Sequence, residues 1–453
     1  SSSSCRSDRT DRSMPLALPS SWRLGPRLLL LLLLLLRLAV QTPSAADTHE
    51  ACLCASEAVV GDCCCTFRAT SAVNDEHALP ILRELAENTT FFRYFRVALC
   101  GQCHHSLPEP ACGHPECTVC ECSSEDLPCD SSGKCYLQSS SPPAGGACPE
   151  DGGPMLSPAD ADVDRGVGQE LRTWSERRSE WTQDSPEHME YVDLQRNPER
   201  WTGYTEVTGA DRVWQAIHEQ AACVADAGGG ECREHRVFER LVSGLHASIS
   251  MHIAEGFCVK PGPKWMPCER FGESSAEFRR RLYDHPERIE NLYFAYLFML
   301  RAAIKAEPLF TSYDYDAGDA QESGRVRKLV RSLLQYRDVP CLGVTRSPFD
   351  ETTVFAGEDG AQLRAAFRDG FLNMSSIMDC VGCGRCRLWG KLQVQGLGTA
   401  LRLLFGDAEQ QAVSLTRTEV IALIHTLYRF STSVHHVSRL SRQAAIEDSD
   451  EEL

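Results

Sequence analysis

The distribution of cysteine constrains this chain more than any other feature. It has 453 residues and 23 cysteines, and 14 of the cysteines lie between Cys52 and Cys148. That density exceeds the roughly 8–10% that marks a disulfide-stapled scaffold in a short secreted chain. The remainder of the chain carries only eight more, with Cys5 near the start. Glutathione and thioredoxin keep cytosolic thiols reduced, so a stretch this crowded points to an oxidising compartment.

The N-terminal residues agree with that compartment. Arg23 and Arg27 precede an unbroken leucine run from Leu28 to Leu36, and Ser44-Ala45-Ala46 offers a small-residue cleavage site. A basic flank, a short apolar run and a small-x-small exit read as a secretory signal peptide within residues 1–46, of which 1–13 precede Met14. The run is short for a transmembrane helix. Two sequons, at Asn88 and Asn373, suit a luminal protein. The last four residues, Asp450-Glu451-Glu452-Leu453, partly match a retention signal of the K-D-E-L type. With 46 Lys plus Arg against 63 Asp plus Glu the net charge is −17, which argues against a nucleic-acid partner because phosphate neutralisation needs a basic face.

Along the chain the composition divides into blocks. Residues 47–135 are cysteine-dense and contain one amphipathic stretch, His77 to Leu99, that predicts helix. Residues 136–186, rich in Ser, Pro, Gly and Asp, predict a flexible linker. Residues 187–440 carry apolar residues at helical spacing and few strand signals. Helices are expected over Val237 to Ile253, Ile289 to Ala306, Ala361 to Ile377 and Thr416 to Phe430. Residues 441–453 form an acidic tail, predicted disordered from Ala445. The fold class is mainly α: one helical domain with a helix-bundle core, preceded by a cysteine-rich, disulfide-stapled loop region.

The chemistry lies in two cysteine constellations. Asp379-Cys380-Val381-Gly382-Cys383-Gly384-Arg385-Cys386 sets three cysteines at i, i+3 and i+6 before a helix-compatible run. Two cysteines three apart in a first helical turn can close a small disulfide that is readily exchanged, since a helix N-terminus favours thiolate. Inert bridges throughout, or an iron–sulfur ligand run lacking its fourth cysteine, are the competing readings. The second constellation is Cys103, Cys112, Cys117, Cys120, Cys122, Cys129 and Cys135. Within it Cys112 to Cys117 is a C-x-x-x-x-C unit with Gly and Pro, the kind of exposed disulfide another protein's thiolate attacks; a structural knot is the alternative. Cys100-Gly101-Gln102-Cys103 lacks a βαβ context for a thioredoxin-type site. Gly396-Leu397-Gly398 lacks the preceding strand and third small residue of a dinucleotide-binding turn. No metal site is expected.

These motifs resemble a known family, the endoplasmic reticulum oxidoreductin-1 flavoenzymes. The resemblance rests on Cys380-Val381-Gly382-Cys383-Gly384-Arg385-Cys386-Arg387-Leu388-Trp389-Gly390-Lys391-Leu392-Gln393 and on Gln395-Gly396-Leu397-Gly398-Thr399-Ala400-Leu401. It also rests on Asn197-Pro198-Glu199-Arg200-Trp201-Thr202-Gly203-Tyr204, Ser243-Gly244-Leu245-His246-Ala247-Ser248-Ile249, Asn291-Leu292-Tyr293-Phe294 and Tyr94-Phe95-Arg96. It covers about residues 50–440, the linker excepted.

The resemblance implies a thiol oxidase of the endoplasmic reticulum lumen that reoxidises protein disulfide isomerase or a similar thioredoxin-like protein. By the same resemblance Cys112 and Cys117 are the outer, shuttle pair and Cys383 and Cys386 the inner pair. Electrons pass from the inner pair to FAD and on to molecular oxygen, giving hydrogen peroxide. Cys103 and Cys380 are implied to tether the shuttle loop. Cys52, Cys54, Cys63 and Cys65 match an N-terminal knot and Cys223 and Cys232 a regulatory pair, while Cys120, Cys122, Cys129 and Cys135 are close enough in sequence to capture Cys112 or Cys117 in off-state bridges. FAD contacts are implied at Arg200, Thr202, Trp214, Ser243, His246, Arg288 and Arg301. Arginines suit a pyrophosphate and an indole suits a stacked ring. Ser243 and His246 are i, i+3 on one helix face, and His246 is a candidate to balance charge near the ring. Arg288 and Arg301, 13 residues apart, are roughly 220° apart around a straight helix, so spacing alone does not place both at one ligand. Peripheral attachment to the luminal membrane face is compatible with this reading. The alternative class is a secreted cysteine-rich interaction protein in which every disulfide is structural.

Overall fold

The computed structural model describes residues 67–99, 103, 105, 119, 189–199, 214–218, 233–259, 265–267, 278–315, 320–335, 351–406 and 415–451, all within one unit, Glu50–Leu453. In chain order the first helices are α1 (Phe67–Val73) and α2 (Leu79–Asn88), joined by a π-helical turn, Asn74–Ala78. Strands β1 (Tyr94–Ala98) and β2 (Met189–Asp193) follow, then helix α3 (Arg233–Gly256) and strands β3 (Phe257–Val259) and β4 (Trp265–Pro267). The remaining helices are α4 (Pro286–Lys305), α5 (Glu307–Ser312), α6 (Ala320–Leu334), α7 (Gly360–Ile377), α8 (Gly384–Phe405) and α9 (Arg417–Glu451).

The core is a four-helix assembly in which α4 packs on α3, α8 and α9, and α9 also packs on α3 and α8. The sequence dictates the central position of α4 and α8. In α4 every residue from Leu292 to Leu300, and again from Ala302 to Ile304, is buried; α8 is buried from Leu388 to Leu401. A helix apolar around its whole circumference is stable only when other elements surround it. Pro286 at the first turn and Pro308 just beyond the end set the limits of α4. Two glycines permit the close crossings. A Cβ on Gly244 would lie 2.3 Å from the Asn291 carbonyl oxygen, and one on Gly396 would lie 2.1 Å from Thr426 Oγ1.

The helices expected over Val237 to Ile253, Ile289 to Ala306, Ala361 to Ile377 and Thr416 to Phe430 all form. The stretch His77 to Leu99 behaves differently: helix ends at Asn88, and Tyr94–Ala98 becomes a strand. β1 pairs antiparallel with β2 in the register Tyr94↔Asp193, Phe95↔Val192, Arg96↔Tyr191. All five β1 residues are buried; an aromatic and β-branched run of this kind suits a covered strand better than one face of a helix. At the other end α9 continues to Glu451, past the point where the acidic pattern predicts disorder, with no Gly or Pro between Arg417 and Glu451 to stop it. The leader (1–46), the linker (136–186), the knot cysteines Cys52, Cys54, Cys63 and Cys65, and Cys122, Cys223 and Cys232 lie outside the described residues.

Substituting Gly244 or Gly396 by alanine is expected to force α3 from α4, or α8 from α9. A loss of about 1–3 kcal/mol in unfolding free energy should follow, measured by chemical denaturation. An unchanged midpoint would show that the crossings are looser than they stand here.

Candidate active site around Cys383 and Cys386

Helix α8 begins at the inner cysteine pair. Cys383 is its N-cap residue, in extended conformation, and its Sγ accepts the backbone N–H of Cys386 at 3.3 Å. Cys386 therefore occupies the third helical position, where free N–H groups and the helix dipole favour negative charge on sulfur. Both thiols are buried, Cys383 at 3% and Cys386 at 5% exposure, with Val381 packed against them. Small-molecule solvent contact is slight, which suits an internal exchange partner better than a surface disulfide.

The turn before the pair is fixed from three directions. Cys380 forms a disulfide with Cys103 across 277 residues of sequence. Lys391, buried in α8, sets its Nζ 2.6 Å from Asp379 Oδ1 and donates to the Ala98 carbonyl at 2.8 Å. Arg387, one turn earlier, donates to the Val381 carbonyl and the Leu99 carbonyl, each at 2.8 Å. His105 Nε2 and Ser376 Oγ lie 2.9 Å apart. The end of β1 and Cys103 are thus bound to the inner-pair turn, and His105 to the nearby end of α7. Of the outer constellation Cys103 is described, while Cys112 and Cys117 lie outside the described residues.

A second group of side chains gathers on α3, α4 and residues 214–218. The Trp214 indole stacks on the His246 imidazole at 4.1 Å between centroids and 7° between planes, and His218 Nε2 lies 2.9 Å from His246 Nδ1. Burial pushes His246 down to about 3, helped by His218, Arg288 and Arg281; burial lowers His218 also. The neutral imidazole is the favoured form of His246 here. The cations acting on His246 are Arg288, whose Nη1 donates to the Arg281 carbonyl at 2.8 Å, and Arg281 itself. Ser243 Oγ accepts from Asn291 Nδ2 at 3.0 Å, and Asn291 Oδ1 accepts from Arg240 at 2.9 Å.

Arg301 stands apart. It is about 20 Å along α4 from Arg288, 13 residues at about 1.5 Å each, and pairs with buried Glu351 at 3.0 Å, with Lys305 3.6 Å from the same carboxylate. A ligand touching both arginines would have to run the length of α4. Arg200 and Thr202 lie outside the described residues, but the segment entering them is held firmly. Trp389 Nε1 donates to the Asn197 carbonyl at 2.7 Å, Gln393 Nε2 donates to Glu199 Oε1 at 3.0 Å, and Arg429 pairs with Glu199 at 2.9 Å. Cys386, Trp389 and Gln393 follow at i, i+3 and i+7, so they share one face of α8. Flat rings beside guanidinium groups fit a ligand that combines a planar ring system with anionic phosphates, as FAD does.

Sequence reasoning missed His218, Arg387, Lys391, Trp389, Gln393, Glu199 and Arg429 as site residues. Most lie inside the quoted motifs, but their partners are 190 residues or more away in the chain for Arg387, Lys391, Trp389 and Gln393.

A family model described as Endoplasmic Reticulum Oxidoreductin 1 (ERO1) matches residues 77–437. The chain belongs to the ERO1 family. As an ERO1 protein it is an oxidoreductase, and relatives align over most of its length. "Endoplasmic reticulum oxidoreductin-1" of Arabidopsis thaliana is 37% identical over 391 residues, covering 84% of this chain and 80% of that protein. "ERO1-like protein alpha" of Mus musculus is 31% identical over 435 residues, covering 85% and 90%. Among solved structures, a double cysteine mutant of S. cerevisiae Ero1p superposes with a TM-score of 0.59 at 24% identity, covering 85% of this chain and 99% of that one. At that identity the likeness speaks for the helical ERO1 fold.

His425 gives a test of the packing behind the pair. It lies 6.1 Å from the Trp389 ring and donates Nε2–H to the Phe92 carbonyl at 2.7 Å. Burial pushes its pKa down to about 4. As pH falls below about 6.5 the unfolded chain takes up a proton that the folded one refuses, so stability falls with acidification until about pH 4. Between pH 7.5 and 5.5 His425 alone should remove about 1.4 kcal/mol. Denaturation curves of H425Q should show a loss smaller by that amount; an identical pH slope in the variant would mean the imidazole is accessible to protons.

Proposed function

We propose that this ERO1 chain is a thiol oxidase of the endoplasmic reticulum lumen. It withdraws electron pairs from a reduced thioredoxin-like partner of the protein disulfide isomerase kind. What carries the reading is the inner pair itself. Cys383 caps α8 with its sulfur, Cys386 sits one turn on, and both are buried beside the tethered residues that lead towards Cys112 and Cys117.

The steps are thiol–disulfide exchanges. A partner thiolate attacks the Cys112–Cys117 disulfide, and the partner's second thiolate resolves the mixed disulfide, leaving the partner oxidised and the outer pair as a dithiol. An outer thiolate then attacks Cys383 Sγ and breaks the Cys383–Cys386 bond. Cys386 leaves as a thiolate stabilised at the third helical position. The second outer thiolate displaces Cys383, which restores the outer disulfide and leaves the inner pair reduced by two electrons. A bound FAD supplies the two-electron acceptor for that dithiol and the route to dioxygen, with hydrogen peroxide as product. Trp214, Ser243, His246 and Arg288, with Arg200 and Thr202 just beyond Asn197 and Glu199 in the sequence, are the residues that would hold it. Neutral His246 offers a stacking face and Arg288 the counter-charge for phosphate.

The compartment follows from the leader, the cysteine load and the names of the relatives. Among the described residues no helix is long and apolar enough to cross a membrane, and peripheral attachment to the luminal face is compatible with this reading. Asn88 and Asn373 are exposed, as glycosylation requires. Cys223 and Cys232, and Cys122 with its neighbours, are assigned to regulation.

Purified protein should be yellow and consume oxygen with reduced protein disulfide isomerase, releasing peroxide. Cys383→Ala should abolish oxygen uptake while the flavin absorbance stays. Cys117→Ala should stop turnover with the protein partner yet spare part of that with a small dithiol. A colourless, folded preparation would instead favour the binding-protein alternative, in which every disulfide is structural.

A further inference from the structure

Gln393 holds a hydrogen-bond acceptor that has no donor among the described residues. It lies in α8 at 1% exposure, and its amide nitrogen donates to Glu199 Oε1 at 3.0 Å. A carboxylate can only accept, so that contact fixes which end of the amide is nitrogen and which is oxygen. The oxygen, Oε1, is fully buried with no hydrogen-bond partner among the described residues. Buried amide oxygens are nearly always satisfied, and one that is not points to a group missing from the protein alone.

The position of Gln393 indicates which group. It is the third member of the face formed by Cys386, Trp389 and Gln393. The same face grips residues 197–199, from which the chain runs directly into Arg200 and Thr202. A flavin ring system carries one imide N–H between two carbonyls, and that N–H is a donor in search of a lone acceptor.

We propose that Gln393 is a cofactor-binding residue whose Oε1 accepts the imide N–H of a flavin bound along the Cys386–Trp389–Gln393 face. The assignment rests on the flavin reading above. It makes the side chain bifunctional. The nitrogen end registers the Glu199 segment against α8, and the oxygen end reads the ring edge and selects a flavin unsubstituted at that nitrogen. Gln395 provides a comparison. Its Oε1 is also buried without a partner, but two residues further on it lies about 200° around the helix, off the Cys386 face.

The test compares FAD with its N3-methyl analogue, which keeps the ring and phosphates but lacks the imide proton. The full chain is reconstituted with each, and affinity is read from quenching of flavin fluorescence. Wild-type protein should prefer FAD by about tenfold, the worth of one buried hydrogen bond. Gln393→Met should bind both flavins within about twofold of each other, while Gln395→Met should keep the wild-type preference. Full preference retained in Gln393→Met would overturn the assignment, as would loss of preference in Gln395→Met alone. Should Gln393→Met not fold, the wild-type protein decides, since equal affinity for the two flavins leaves no donor for Oε1. Wild-type protein that binds neither flavin would remove the flavin reading itself, an outcome distinct from binding both equally.

Discussion

Lys391 is buried, and its ammonium group is 2.6 Å from the Asp379 carboxylate and 2.8 Å from the Ala98 carbonyl. An ion taken out of water costs several kcal/mol unless its partners stay in place. Moving the 379–383 turn away from α8, or β1 away from either, would strand that charge. Arg387 repeats the constraint one turn nearer the cysteines, on Val381 and Leu99. The helix dipole can favour a thiolate at Cys383 and Cys386 only if the turn keeps them at the helix start, and these two cations, with the Cys103–Cys380 disulfide, keep it there.

The same helix binds the segment 197–199 through its other groups. Trp389 and Gln393 hold Asn197 and Glu199, while Arg429 from α9 neutralises Glu199 between the two helices. Burial lowers the pKa of Arg429, against the pull of Glu199. One rigid element thus carries the proposed sulfur chemistry at its first turn and grips the proposed ligand segment over the next two. Relative placement of the two is then a property of a helix, which deforms little, and not of loops.

Much of this was legible in the sequence because it is local. The C-x-x-C at a helix start, the apolar circumference of α4 and the limits set by Pro286 and Pro308 are all written in short runs. The Cys103–Cys380 pairing, implied by family resemblance, is present as a bond. The misreading of Tyr94–Ala98 as helix has a clear cause: its partner strand lies about a hundred residues on, beyond the linker, and a strand is stabilised by what it pairs with. Arg301 joined the implied ligand contacts by motif alone, and motif does not record that its guanidinium pairs with Glu351. The roles of Arg387, Lys391 and Gln393 escaped notice because motif matching records which residues recur and says nothing of what they touch.

The link between Cys103 and Cys380 also has a temporal side. During synthesis at about 5–20 residues per second, Cys103 is made roughly 15–55 s before its partner. Throughout that interval a cysteine-dense segment has emerged while α8, which must fix the other half of the bond, does not exist. Every earlier cysteine within reach is a wrong partner available sooner. The correct bond therefore cannot form before Cys380 has been made, and any bridge Cys103 makes earlier must first be undone by thiol–disulfide exchange.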